Sequence, residues 1–120
     1  MPLTIKESDW KLFRRLHKVA LERFCKQVIQ DVNKVTADVQ GDFHKHYIAL
    51  WKLIRDRDQE IAYAFNDMRR STAIAMIANV HELDLFTPEE FSEFSPETRD
   101  TVDRIVESRP SHSNDVMKIK

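Results

Sequence analysis

Residues 5–40 read IKESDWKLFRRLHKVALERFCKQVIQDVNKVTADVQ, and the spacing of their apolar side chains decides the fold. At ~100° per residue, Trp10, Phe13, His17, Leu21, Phe24, Val28, Val32, Val35 and Val39 share one broad face. Lys11, Arg15, Lys18, Glu22, Lys26 and Asn33 form a separate, solvated stripe, and Leu12, Leu16 and Val19 add a second apolar patch in the first half. The pattern predicts one long helix, enclosed by other elements in its first half and covered on one side in its second. A helix over 5–40 is on the order of 50 Å long, whereas a domain of 120 residues has a diameter of roughly 35 Å. An unbroken helix would therefore project from its own domain. Leu21, Cys25, Val28, Val32, Val35 and Val39 alternate at spacings of four and three, as heptad d and a positions do. A second copy of the chain, packed on this stripe, is the expected cover. The competing reading is a bend near Gln30–Val35, where β-branched residues lower helix propensity, with packing inside a monomer.

The rest of the chain is also helical in pattern. Thr4 and Glu7 have the spacing of a capping box, which starts the first helix at Ile5. Gly41 follows it as a C′ residue and Asp42 can cap the next helix, so the two long helices are expected to be antiparallel neighbours. The second helix runs from Phe43 to Phe65, with Phe43, Tyr47, Leu50, Trp51, Ile54, Ile61 and Phe65 on one face, read as core. Asn66 to Thr72 interrupts the pattern. The third helix, over 71–85, is apolar on nearly every side and alanine-rich, as a buried helix that its neighbours approach closely would be. Thr87-Pro88-Glu89-Glu90 and Ser95-Pro96-Glu97 are two helix starts, with Phe86 placed to staple to Phe91. They predict short helices over 88–93 and 96–107. The expected fold is all-α, about five helices in a single domain over 1–108, with a polar, mobile tail over 109–120.

Composition excludes several functions. The only glycine, Gly41, cannot build a Rossmann, Walker or glycine-rich kinase loop, each of which needs several. One cysteine permits no internal disulfide or cysteine-rich zinc site, and Cys25 reads as a small apolar residue. The first residues lack the apolar core of a signal peptide and no apolar run nears the ~20 residues of a membrane span, so the chain reads as soluble and cytoplasmic. The net charge is −1 but unevenly laid out: residues 6–26 hold seven basic and three acidic groups, residues 82–107 nine acidic and two basic. The simplest expectation is that these two segments lie close and neutralise each other in part.

Candidate sites are few. His44 and His46 would point about 200° apart on a helix, and neither Glu-x-x-His nor His-Glu-x-x-His occurs, so no metal or other cofactor is expected. No local motif joins a nucleophile to a base and an orienter. Asp58, on the apolar face of the second helix, needs a partner such as Arg55, Arg57 or His17, and His17 with Asp58 is the candidate buried polar site. Arg69, Arg70, Ser71 and Thr72 stand at a helix start and form a candidate anion-binding corner. Lys11, Arg15, Lys18 and Lys26 form a candidate nucleic-acid face, although Glu22 interrupts it. These residues point to a non-enzymatic helical interaction module, a small adaptor or regulator acting as a homodimer or on a protein partner. A nucleic-acid-binding regulator is the first alternative, and an enzyme or small-ligand binder with a pocket near Asp58 and His17 is the second.

Overall fold

A computed structural model describes residues 4–37 and 40–110. It has five α-helices: α1 (Glu7–Ala37), α2 (Phe43–Phe65), α3 (Ala73–Glu82), α4 (Pro88–Ser92) and α5 (Pro96–Ser108), with a 3-10 turn, Arg70–Thr72, before α3. No strand occurs among the described residues. The expected tail from 111 onward and Val39 lie outside the described residues.

α1 is unbroken over 31 residues, as the long-helix reading expects, and the helix does not break near Gln30–Val35 as the competing reading has it. Its start differs from the expected box. The first turn is closed by Trp10 N–H donating to Lys6 O (2.9 Å), and Glu7 pairs with Arg70 (2.7 Å) instead of reaching back to Thr4. Gly41 (φ 87°) and Asp42 (φ 52°) are both left-handed, and make the reversal into α2. Asp42 does not cap through its side chain; its carbonyl accepts from Lys45 N–H and His46 N–H.

α1 and α2 form an antiparallel hairpin. His17 meets Phe65 and Asp31 meets Arg57, so positions later in α1 face positions earlier in α2. The hydrophobic core lies at one end of it: Leu12, Phe13, Leu16, Ala20 and Phe24 of α1, Ala64 and Phe65 of α2, nearly all of α3, and Leu85, Phe86, Phe94 and Val102. The other end projects. The molecule measures 55 × 29 × 24 Å with a radius of gyration of 16.9 Å, against about 14 Å for a compact chain of this length.

α3 packs on α5, α2 and α1 and is buried over most of its surface, as its all-round apolarity predicts. It is two residues shorter at its start than expected, because Arg70–Thr72 winds as a 3-10 turn. Its alanines differ. Ala73 and Ala78 are fully buried, whereas Ala75 faces solvent. Ala78→Leu is therefore expected to cost about 1–3 kcal/mol through overpacking, whereas Ala75→Leu is expected to be close to neutral; urea denaturation of the two variants measures the difference. α3 ends with Leu85 N–H donating to Val80 O and Asp84 N–H to His81 O, a paired closure that needs a left-handed residue at the bend. Asp84 supplies it at φ 60°.

The doubled helix start forms as read. Thr87 and Glu90 make a reciprocal capping box with Pro88 in the first turn, and the Phe86 and Phe91 rings stack with centroids 6.4 Å apart. Ser95 caps α5 by accepting from Thr98 N–H. At its far end Arg109 donates to Glu82 (2.8 Å) and to the Tyr63 hydroxyl (2.9 Å). Thus Arg109, expected to begin a loose tail, instead ties the end of α5 to α2 and α3.

The basic and acidic segments do meet within the chain. Lys6 pairs with Glu97, Arg15 with Glu93 and Arg23 with Glu90 along one edge of α1. Arg23 is the strong member. Two guanidinium nitrogens grip both Glu90 oxygens at 2.6 and 2.8 Å, and the same arginine donates to Leu85 O. Bidentate, charge-assisted bonds of this kind are about twice as strong as neutral ones.

Candidate functional site

The projecting half of the hairpin has no interior. No described residue of α1 after Phe24 and none of α2 before Ala64 is buried. Two helices alone can cover only the strip each turns to the other. Here that strip is the one expected to meet a second chain. Leu21, Cys25, Val28, Val32 and Val35 are half-buried, and Leu21 and Val28 join the packing of the core. Within the protomer α2 lies against the α1 stripe, and the Asp31–Arg57 ion pair (2.6 Å) fastens the two helices.

The apolar surface that stays in water is on α2. Phe43 is 68 % exposed, Tyr47 63 %, Trp51 51 % and Ile54 46 %, and Ile29 of α1 adds 59 %. At ~100° per residue the four α2 side chains fall within a sector of about 80°, so they form one row. This corrects their reading as core. On the α2 stripe only Phe65 is buried, with Leu50 and Ile61 half-buried. Ile54, Cys25 and Ile29 line a cleft of about 170 Å³ between the helices, which puts the α1 and α2 contributions on one side of the hairpin. Arg55 stacks over the Trp51 ring at 4.8 Å, leaving its charge at the margin of the row.

Asp58 and His17 do not form a joint site. Asp58 is exposed at the edge of the same cleft, where water solvates the carboxylate and no buried partner is needed. His17 lies toward the core, bonded through Nε2 to the Phe65 carbonyl (3.1 Å) and packed edge-on between Phe13 and Phe65. No bond joins them, and the hairpin carries them at different depths.

The expected anion corner is internally neutralised. Arg69 holds Asp67 (2.7 Å). Arg70 holds Glu7 and covers the Trp10 ring. The Thr72 hydroxyl donates to the Asp67 carbonyl (2.7 Å), and Ser71 is exposed. Both guanidinium charges that a phosphate would need are already paired within the chain, although with Asp67 and Glu7 and not with the acidic C-terminal helices.

The basic face is a different case. Lys11, Arg15, Lys18 and Lys26 are all exposed, and Lys11, Arg15 and Lys18 gather with Arg14, a residue the helical stripe did not include, around an open depression of about 330 Å³.

A concavity of about 470 Å³ lies beside His81, Asp103 and Phe91. The His81 ring stacks flat on Phe91 at 3.9 Å, and its Nε2 is 3.7 Å from Asp103, too far for a hydrogen bond. No nucleophile stands against a base there. Among the described residues no three His, Cys, Asp or Glu side chains converge as a metal would require.

Two carboxylates have strongly structural surroundings. Asp9 is 2 % exposed and accepts three bonds at the start of α5: Ser95 N–H (2.9 Å), Ser95 Oγ–H (2.6 Å) and Thr98 Oγ1–H (2.7 Å). Burial pushes its pKa up, but these donors and Lys6 outweigh that and hold it below the usual value. The Glu90 carboxyl is held down to about 2, chiefly by the Arg23 hydrogen bonds, with burial opposing and Thr87 N–H assisting. A depressed carboxyl stabilises the fold above its unfolded value and loses that effect as pH falls toward the folded one. The full shift corresponds to about 3 kcal/mol; solvent around Arg23 reduces the expected contribution to about 1–2 kcal/mol. Arg23→Ala is accordingly expected to lower stability by that amount at neutral pH, with the gap narrowing as pH falls from about 4.5 through about 2, by urea titration across pH.

No helix among the described residues is long and apolar enough to cross a membrane. Comparison of the chain with protein-family models, with curated proteins and with solved structures finds no match in any of the three.

Proposed function

We propose that the protein is a non-enzymatic helical interaction module, a small cytoplasmic adaptor or regulator. It works as a homodimer joined through the projecting α1–α2 hairpin. The observation that carries this is the row Phe43, Tyr47, Trp51 and Ile54, with Ile29 beside it, exposed along helices that have no buried residue of their own at that end.

A second copy is the occupant that fits by size and charge. Three aromatic residues that can each bury 150–250 Å², more than half exposed, together with two isoleucines leave on the order of 500 Å² of apolar surface in water. A standard interface of about 800 Å² per partner that is about 60 % apolar requires the same amount. A patch of that size is at the upper end of what a monomer leaves exposed. The charged groups nearest it are largely settled within the chain: Asp31 with Arg57, and Arg55 with Asp56. A two-fold axis can therefore bring two such faces together with these two ion pairs kept intact. The product is a four-helix bundle, which gives the projecting hairpins the interior each lacks alone.

Sedimentation velocity at low and high salt tests the proposal. A dimer at both is expected, because an apolar interface is not weakened by screening. A monomer at micromolar concentration in both would refute it. A dimer that dissociates in high salt would refute the apolar face as its seat.

A further inference from the structure

We infer that Lys11, Arg14, Arg15 and Lys18 form a docking surface for the phosphate backbone of a nucleic acid, read without regard to base sequence. This inference is independent of the dimer.

Three observations support it. The four residues sit at i, i+3, i+4 and i+7, so they occupy one side of α1 over about 10 Å of its length, and all four line the same open depression. The ion pairs that tie α1 to the acidic helices run through Lys6, Arg15 and Arg23. Among the described residues Lys11, Arg14 and Lys18 have no carboxylate within bonding distance, and Arg15 has only the exposed Glu93 at 3.5 Å. Like charges at these spacings destabilise a helix by a few tenths of a kcal/mol per pair.

The row also selects the kind of anion. It contains no apolar side chain. A membrane-surface helix needs apolar groups beside its cations to enter the headgroup boundary, and a protein interface of this size would be expected to centre on aromatic residues with lysine depleted. A rigid row of four cations with neither feature matches a repeating phosphate backbone. About 10 Å along the axis of a duplex passes about three phosphates of one strand, at about 3.4 Å of axis each. The chain's net charge of −1 does not by itself oppose this, because association follows the local field, and of the ion pairs between α1 and the acidic segment the one at this row is Arg15 with Glu93. Glu22, one turn beyond Lys18, bounds the row.

Fluorescence anisotropy on the full chain tests it, with a labelled 20-base-pair DNA duplex of arbitrary sequence and a labelled 20-nucleotide single-stranded RNA as probes. Vesicles of phosphatidylcholine with phosphatidylserine are the lipid arm. Binding to the duplex, the RNA or both is expected in 50 mM salt, with log K falling against log salt at a slope of about −3. Each phosphate contact removed should weaken binding about eightfold at 0.1 M salt. Lys11→Ala with Lys18→Ala should thus lose about sixtyfold, with circular dichroism and solution mass unchanged, since both side chains are in water. Three results would overturn the inference: neither nucleic acid binds, binding survives the double substitution, or the vesicles bind while both nucleic acids do not. The solution mass reads the dimer separately, so either idea can fail alone.

Discussion

Asp9→Ala is expected to destabilise the protein by about 3 kcal/mol. The carboxylate is enclosed between the start of α1 and the start of α5 and receives Ser95 N–H, the Ser95 hydroxyl and the Thr98 hydroxyl. Alanine leaves one backbone and two hydroxyl donors facing a void. A buried donor left unmade costs about 1–3 kcal/mol, and the hydroxyls can turn elsewhere while the backbone N–H cannot. The loss also loosens the α5 start, because Ser95 Oγ is both the group that Asp9 orients and the acceptor of Thr98 N–H. Asp9→Asn should cost less, about 1 kcal/mol, since one amide oxygen still accepts from Ser95 N–H and the two hydroxyls can rotate to accept from the amide nitrogen. The pH dependence has a definite sign. The Asp9 pKa is below its ordinary value, so its contribution is complete above about pH 4 and is lost as pH falls further. Denaturant titrations at pH 7 and pH 2.5 should therefore show a large gap between wild type and Asp9→Ala at the first pH and a smaller one at the second. An equal gap at both would mean that packing and not the charge is what α5 depends on.

That residue also shows where a sequence stops being readable. The helix starts at Thr87 and Ser95 are local: cap, proline and acid stand within four residues, and the chemistry that selects them acts over the same distance. They formed where the pattern puts them. The bond from Asp9 to Ser95 spans 86 positions, and nothing near Asp9 distinguishes it from the other carboxylates in a helical first turn. The only local hint is that Asp9 lies next to Trp10 and one turn before Phe13, on the side that turns inward. Periodicity failed in a different way on α2. It identified the face that carries Phe43, Tyr47, Trp51 and Ile54 correctly, but an apolar face is a statement about what should be covered, not about what covers it. The same holds for α1, where the stripe from Leu21 to Val35 does find cover, supplied by α2. A helix longer than its domain must project, and α1 runs on past its last buried residue, Phe24, in a molecule 55 Å long. The basic row was legible apart from Arg14, which the stripe through Lys11, Arg15, Lys18 and Lys26 left out although its spacing of three from Lys11 and four from Lys18 puts it on the same side of the helix.

Phe43→Glu with Trp51→Glu should convert a dimer to a monomer without loss of fold, and the choice of positions makes the outcome unambiguous. Val32→Asp, the change that an α1 interface would suggest, is a poor test, because Val32 is half-buried in the described structure and its loss would weaken the protomer as well. Phe43 and Trp51 are 68 % and 51 % exposed, so neither contributes much to the isolated chain. Their replacements suit the helix. Position 43 is in the first turn of α2, which holds no acidic residue and where a carboxylate is stabilised by the helix dipole by a few tenths of a kcal/mol. Position 51 is four residues before Arg55, the favourable order for an ion pair on one helix. In a two-fold interface each change occurs twice. Removing two aromatic anchors per protomer forfeits about 1.5–3 kcal/mol for each, and the carboxylates would have to be desolvated against one another. Even half of that total weakens association by about 4 kcal/mol, or a factor of about a thousand. The expected result is a monomer by sedimentation velocity at concentrations where the wild type is a dimer, with a thermal midpoint within a few degrees of the wild-type monomer extrapolated to low concentration. A variant that remains dimeric would place the contact elsewhere on the molecule. A variant that unfolds would mean that the hairpin cannot stand without the row, and Tyr47→Lys alone, at 63 % exposure and with a milder change of charge, then separates the two: dissociation with the fold intact restores the hairpin interface, and an intact dimer removes it.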